Sequence, residues 1–217
     1  MATFVFLDKS YTYFTSPFND TRHNERAIEI PIMLDITSKY KSKKILEIGN
    51  VMSNYYVFVH DILDKYDDKL DIIRQDILDF RPDNKYDLIF SISTFEHIGW
   101  DYGEDREIKK SSVALNYTKS LLADKGLLVI TAPLGFNDEF DSMIKNGEIS
   151  FTKCYCMKRG DYNDWNNTNL DNIWNTDYSR EACNVGMLTK DRYAIVKYTT
   201  HLIIGFYWKW GWEDESL

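Results

Sequence analysis

Glycine and proline are scarce in this 217-residue chain, at 10 and 4. That excludes collagen-like and low-complexity descriptions, and it makes the position of each glycine informative. Cysteine is scarcer still, at three. An odd, low count does not build a secreted disulfide scaffold, and a reduced, cytoplasmic setting is expected. No apolar run approaches the roughly 18 residues of a membrane-spanning helix. The longest, Leu202 to Trp208, is strand-sized. The opening stretch meets a charge at Asp8 before the apolar region of a secretion signal can form, so none is expected. Positive charge is in deficit, with 26 Lys+Arg against 34 Asp+Glu and a net charge of −8. This argues against a non-specific grip on nucleic acid or anionic lipid.

Hydrophobic residues at 44% and aromatics at 15% exclude a disordered chain. The length suits a single domain over 1–217, large enough to bury roughly 70% of its unfolded surface without a disulfide or metal staple. Residues 1–24 read as an irregular arm, and Glu25 to Ser38 as a helix in which Pro31 must lie in a first turn or mark a break. Four short apolar runs follow: Ile45–Ile48, Val57–Leu63, Tyr86–Ile92 and Gly126–Ala132. Such runs suit central strands of a parallel sheet covered by helices. Glu107 to Ala123 reads as an amphipathic helix ending at Asp124-Lys125-Gly126, which makes a βαβ crossover of the last two runs. Further strands are expected at Ile149–Met157, Ala194–Thr199 and Leu202–Trp208, the last two as an antiparallel hairpin at the sheet edge. Asp161 to Asn175 reads as a loop. The predicted fold is α/β: a doubly wound, mostly parallel sheet with an antiparallel strand at the C-terminal edge.

Ligands of open α/β sheets bind beyond the carboxyl ends of the strands. Carboxylates gather at those ends here, in Glu47-Ile-Gly49-Asn50, Asp61-Ile-Leu-Asp64, Gln75-Asp76-Ile77 and Ser91-Ile-Ser-Thr-Phe-Glu96-His97. In this order and spacing, the segments from Lys44 to Phe136 resemble the class I S-adenosylmethionine-dependent methyltransferases. Lys44-Ile-Leu-Glu-Ile-Gly49 is similar to that family's first motif, and Leu121 to Ile130 to its helix end, turn and fifth strand. The resemblance implies a Rossmann-like fold, with 44–136 as the S-adenosylmethionine-binding core. It implies 1–43 as an arm and helix over the site, and 137–217 as acceptor-side and closing strands. The family's glycine-rich loop keeps only Gly49; Asn50 follows, a residue that tolerates left-handed backbone. Asn24-Glu25-Arg26, Glu47–Asn50 and Ser91–Trp100 also resemble a bacterial and archaeal subgroup whose members look like modifiers of surface glycans or activated sugars.

Carried over residue by residue, the resemblance implies that Glu47, Gly49, Asn50, Asp64, Asp76, Ile77 and Ser91 bind the cofactor. Asp61 rivals Asp64 for the ribose if the second strand ends early, and Asp76 is otherwise a helix cap or turn residue. His97 is the candidate general base, because imidazole titrates near neutral pH and methylating a hydroxyl requires losing its proton. Glu96 competes for that role, and His97 is otherwise a residue that orients the neighbouring loop. Arg22, His23 and Arg26 suit a sugar phosphate or simply a solvated basic stretch. Trp100, Tyr102 and the Trp165/Trp174 loop suit a platform for a sugar face, or core and rim. Cys154 and Cys156 share a strand face, and with Cys183 read as free thiols rather than zinc ligands. The expected activity is methyl transfer to a hydroxyl, less so an amine, of a small or glycan-linked acceptor. The alternatives are a non-catalytic partner subunit and a 2′-O RNA methyltransferase; against the latter, Ser93 stands where that group's first glutamate would be.

Overall fold

The computed structural model describes residues 2–100, 106–160, 162–169, 171, 173–174 and 201–209. Its centre is an eight-stranded sheet. Five strands run parallel: β3 (Ile45–Ile48), β4 (Asp61–Asp64), β5 (Ile73–Arg74), β6 (Tyr86–Ile92) and β7 (Leu122–Pro133). With β8 (Lys153–Arg159), β9 (Trp165–Thr168) and β10 (His201–Trp208), the order across the sheet is β5-β4-β3-β6-β7-β10-β8-β9. The chain runs outward from β3 and then returns to β6, so the switch point lies between those two strands. The expected doubly wound, mostly parallel sheet with an antiparallel margin is the observed one.

Alternation along the strands divides the core. Leu88, Phe90 and Ile92 of β6, with Val129 of β7 and Ile204 of β10, pack beneath α1 (Arg26–Ser38). Ile89, Leu128, Ile130 and Ile203 face the other way, toward α2 (Lys110–Ser120) and α3 (Asp138–Lys145). Strands buried on both faces need apolar residues at every position, which is why these runs were legible.

Several boundaries differ from expectation. The N-terminal arm is not irregular: β1 (Thr3–Phe6) and β2 (Lys9–Thr12) form a hairpin, turned by Leu7 and Asp8, both left-handed. Phe4 and Phe6 of β1 are buried beside α1. Pro31 lies inside α1 without breaking it. Its missing N–H leaves the Ala27 carbonyl to accept from the Phe14 N–H instead, at 2.9 Å. Val57 and Val59 are fully exposed, and the second parallel strand begins only at Asp61, because four-residue β3 offers so little to pair with. Helix α2 stops at Ser120 rather than at Ala123, since Leu122 already pairs with Tyr86 and the left-handed residue is Lys125.

The C-terminal strand is not at the edge. β10 is inserted antiparallel between β7 and β8, and the edge is β9, formed within the stretch read as a loop and itself antiparallel to β8. β8 covers Lys153–Arg159 rather than Ile149–Met157. The expected strand at Ala194–Thr199 lies outside the described residues. The β8–β9 pair holds the N-terminal arm down: Arg159 Nη2 donates to the His23 carbonyl at 2.6 Å, and Asn163 Nδ2 to that of Asn24 at 3.1 Å.

Candidate active site

A cleft of about 450 Å³ opens at the carboxyl ends of β3, β4 and β6 and beside the turn after β5. That is within the size range of cofactor sites, roughly 300–1,000 Å³. Gly49, Asn50, Asp64, Asp76, Ile77, Arg26 and His97 all line it.

Strand β3 ends at Ile48, and Gly49 turns the chain with φ +82°. A Cβ there would lie 2.1 Å from Thr94 Oγ1, so the close approach needs glycine. Asn50 does not adopt the left-handed conformation; it ties the loop down by other means. Its backbone N–H donates to Asp64 Oδ2 at 2.9 Å and its Nδ2 to Asp67 Oδ2 at 2.6 Å. Glu47 is fully buried and is not on the cleft surface. Its Oε1 accepts from the N–H groups of Val51 (2.9 Å) and Met52 (2.7 Å), and its Oε2 lies 2.9 Å from His60 Nε2. A carboxylate at the start of the short 3₁₀ turn Met52–Asn54 thus does the ordering that further glycines do by conformation.

Asp64 Oδ1 accepts from the N–H groups of Tyr66 and Asp67 at 2.8 and 2.9 Å. With the bond from Asn50, three of the carboxylate's roughly four acceptor positions are filled by its own loops. Asp61, the rival, opens β4 and accepts from the Tyr86 hydroxyl at 2.8 Å, away from the cleft. Asp76 accepts from the Leu78 N–H at 3.0 Å, and Lys65 and Lys110 approach its Oδ2 at 3.2 and 3.6 Å. Burial works to raise its pKa, but that N–H and the two ammonium groups hold it below the usual carboxylate range. Ser91 is inside the sheet, donating to the Ile48 carbonyl at 2.8 Å, and does not reach the cleft.

The other side of the cleft is built where α1 crosses the tips of β6 and β7. Ser93 ends β6 with φ +40°, a conformation that costs of order 1–3 kcal/mol and is held from several directions. Its N–H donates to the Thr131 carbonyl at 3.0 Å and its hydroxyl to Glu29 Oε1 at 2.7 Å. Glu29 also accepts from Thr131 Oγ1 and, at its other oxygen, from Arg26. Arg26 is thereby fixed in the cleft wall, its charge favoured by Glu29 and Glu25 against the cost of burial. Sequence reasoning passed over Glu29. The available signal was a lone acid among Ile28, Ile30, Ile32 and Met33, three residues after an arginine.

Phe95–His97 form a 3₁₀ turn after Ser93. His97 packs at a tilt against Phe136 with ring centroids 4.4 Å apart, and its Nε2 lies 3.8 Å from Glu96 Oε1. Asn137 fixes this turn: its Nδ2 donates to the Glu96 carbonyl at 2.7 Å, while its Oδ1 caps α3. Glu96 is 1% exposed, and burial pushes its carboxyl well above the usual range.

Of the remaining expected site residues, those that are described do not line the cleft. Arg22 is exposed and 3.8 Å from Asp20. Trp100 packs under the Arg106 guanidinium at 3.9 Å, and Tyr102 lies outside the described residues. Trp165 is buried beside Asn163, and Trp174 packs near Lys145, so they share no platform. Among the described residues no group of three metal-ligating side chains gathers; Cys154 and Cys156 are free thiols, and Cys183 lies outside the described residues.

No protein-family model and no curated protein matches the chain. Solved structures do. N-methyltransferase NodS from Bradyrhizobium japonicum WM9, in complex with S-adenosyl-L-homocysteine, is 16% identical over 50% of this chain and 67% of its own, with a TM-score of 0.33. Coclaurine N-methyltransferase, bound to N-methylheliamine and S-adenosylhomocysteine, is 17% identical over 56% of this chain, with a TM-score of 0.31; the match spans 40% of its length. An S-adenosylmethionine-dependent methyltransferase from Clostridium acetobutylicum ATCC 824 is 8% identical over 80% of this chain and 88% of its own, with a TM-score of 0.37.

Proposed function

We propose that the chain is a class I S-adenosylmethionine-dependent methyltransferase acting on a hydroxyl or amine of a small or glycan-linked acceptor. The carrying observation is the convergence on one cleft of left-handed Gly49, the Asp64 carboxylate and the Asp76–Ile77 turn, each at or just beyond the end of a parallel strand. The residues present fit the cofactor. Asp64 keeps about one acceptor position for a ribose hydroxyl. Asp76 suits an exocyclic amine, Ile77 an apolar ring face, and the backbone at Gly49 and Asn50 the amino-acid end.

When bound, the cofactor supplies an electron-poor methyl group on a sulfonium. The chain's part is to hold the acceptor in line at about 3 Å and keep water away. Arg26 and Ser93, locked through Glu29, form the wall against which the acceptor is oriented. His97, braced by Phe136 and Asn137, takes a proton from the acceptor on its imidazole.

Titration calorimetry of the full chain with S-adenosylhomocysteine tests the reading. Saturable binding is expected, and weaker binding for Asp64→Ala. Absence of heat at millimolar ligand, with the chain shown to be folded, would overturn it. A second reading, a cofactor-free partner subunit, draws on the three loop N–H groups already held by Asp64. The same titration separates the two.

A further inference from the structure

The loop after β3 is short of glycine, and its order comes from a buried acid. Val51 opens the Met52–Asn54 turn without a side-chain cap. The cap comes instead from Glu47, whose Oε1 accepts from the N–H groups of Val51 and Met52 at 2.9 and 2.7 Å. Glu47 is fully buried, and a carboxyl at that depth needs partners for both oxygens. Among the described residues, its Oε2 is met by His60 Nε2 at 2.9 Å.

His60 is itself held in place. It lies just ahead of β4, and its side chain is 6% exposed. The ring packs at a tilt against Phe58, with centroids 4.8 Å apart, and edge-on against Phe90 at 5.4 Å. Phe90 in turn lies directly beside Glu47 in the β3–β6 register. Glu47 Oε1 already accepts two N–H donors, which marks this carboxyl as an acceptor. The proton shared with the imidazole then belongs on Nε2.

We propose that His60 is a positioning residue for cofactor binding. Donating from Nε2, it holds Glu47, and through Glu47 it holds the backbone that runs from Gly49 into the Met52–Asn54 turn. This deepens the methyltransferase reading and rests on it. Gly49, Asn50 and Val51 line the cleft, whereas His60 stands behind them and does not. Leucine at position 60 would fill the slot between Phe58 and Phe90 but leave Oε2 without a donor. Glutamine carries an N–H donor at the end of a chain of similar reach. The two substitutions separate the hydrogen bond from the packing.

The experiment is calorimetry with S-adenosylhomocysteine on the unsubstituted full chain, His60→Leu and His60→Gln. Amide hydrogen exchange at Val51 and Met52 is read by nitrogen-15 NMR on the same proteins. His60→Leu is expected to bind roughly tenfold more weakly, equivalent to about 1.4 kcal/mol, and to exchange both amides faster by a similar factor. His60→Gln is expected to recover both. Unchanged affinity in His60→Leu, equal losses in the two variants, or loop amides that exchange in His60→Leu as in the unsubstituted chain overturns the proposal. Failure of S-adenosylhomocysteine to bind the unsubstituted chain overturns the methyltransferase reading, while the amide exchange still reports on His60. Should either variant not fold, histidine nitrogen-15 spectra of the unsubstituted chain decide. A His60 ring protonated at Nε2, whose signal moves with the Val51 and Met52 amides when S-adenosylhomocysteine binds, supports the proposal. A ring with no proton on Nε2, or a signal that stays still on binding, overturns it.

Discussion

Gly49 is the residue on which the cleft turns. Its φ of +82° costs a residue bearing a Cβ about 1–2 kcal/mol, before the approach of 2.1 Å to Thr94 Oγ1 is counted. Gly49→Ala is therefore expected to lower unfolding free energy by at least about 1–2 kcal/mol and to weaken S-adenosylhomocysteine binding together with it. Urea denaturation and calorimetry on the same preparation check this; a variant as stable and as tight as the original chain contradicts it. Gly49, Asp64 and Asp76 were legible because strand ends can be read from apolar runs, and the site lies at strand ends. Glu29 and Asn137 were not legible, because each acts across the fold. Glu29 reaches Thr131, 102 positions away, and Asn137 reaches Glu96, 41 positions away. Asn50 was legible as a substitute for glycine but not for its means, a bond to a carboxylate in place of a backbone conformation.

At the scale of elements, α3 holds the clearest titrating group, tied to the loop that leads into it. Asp141 in α3 accepts from the Gly135 N–H at 2.7 Å. Burial raises its pKa from 3.8 to about 7, with Asp138 adding to the effect and the Gly135 N–H opposing it. The unfolded chain loses this proton near pH 4, whereas the folded chain holds it until about pH 7. The folded state thus binds more protons across that window, and stability must fall as pH rises through it. The full effect is on the order of a few kcal/mol, at 1.36 kcal/mol per pKa unit. Asp141→Asn, which keeps an acceptor for Gly135, is expected to remove this part of the slope. Denaturation from pH 4 to 8 measures it; an unchanged slope in the variant contradicts the assignment. Element boundaries were less legible than element types. The β1–β2 hairpin turns through Leu7 and Asp8, which carry no Asn-Gly signature. Pro31 read as a first-turn residue or a break because the repair of its missing bond comes from Phe14, outside the helix.

At the scale of the whole molecule, the parallel half of the sheet was readable and the antiparallel half was not. β6 and β7 are long, apolar on both faces and joined by a helix, so local pattern determines their pairing. The position of β10 depends on partners far away: Leu202 to Trp208 pair with Pro133 to Leu127 on one side, and His201 to Phe206 with Lys158 to Lys153 on the other. Gly205 sits where the Phe151 ring leaves no room for a side chain, at 2.4 Å from a built Cβ. Removing residues 201–217 takes out a strand from the middle of the sheet, not from its margin. Such a truncation is expected to be insoluble or molten in circular dichroism and size-exclusion measurements, and a folded monomer would contradict this.

The placement of β10 also sets a timetable. A ribosome adds about 5–20 residues per second, so β7 and β8 emerge several seconds before the strand that joins them. Through that interval both keep an open, apolar edge of the kind that recruits other chains. The strand that closes the sheet is made after both of the strands it joins, and the nascent chain depends on chaperones or on speed until it arrives.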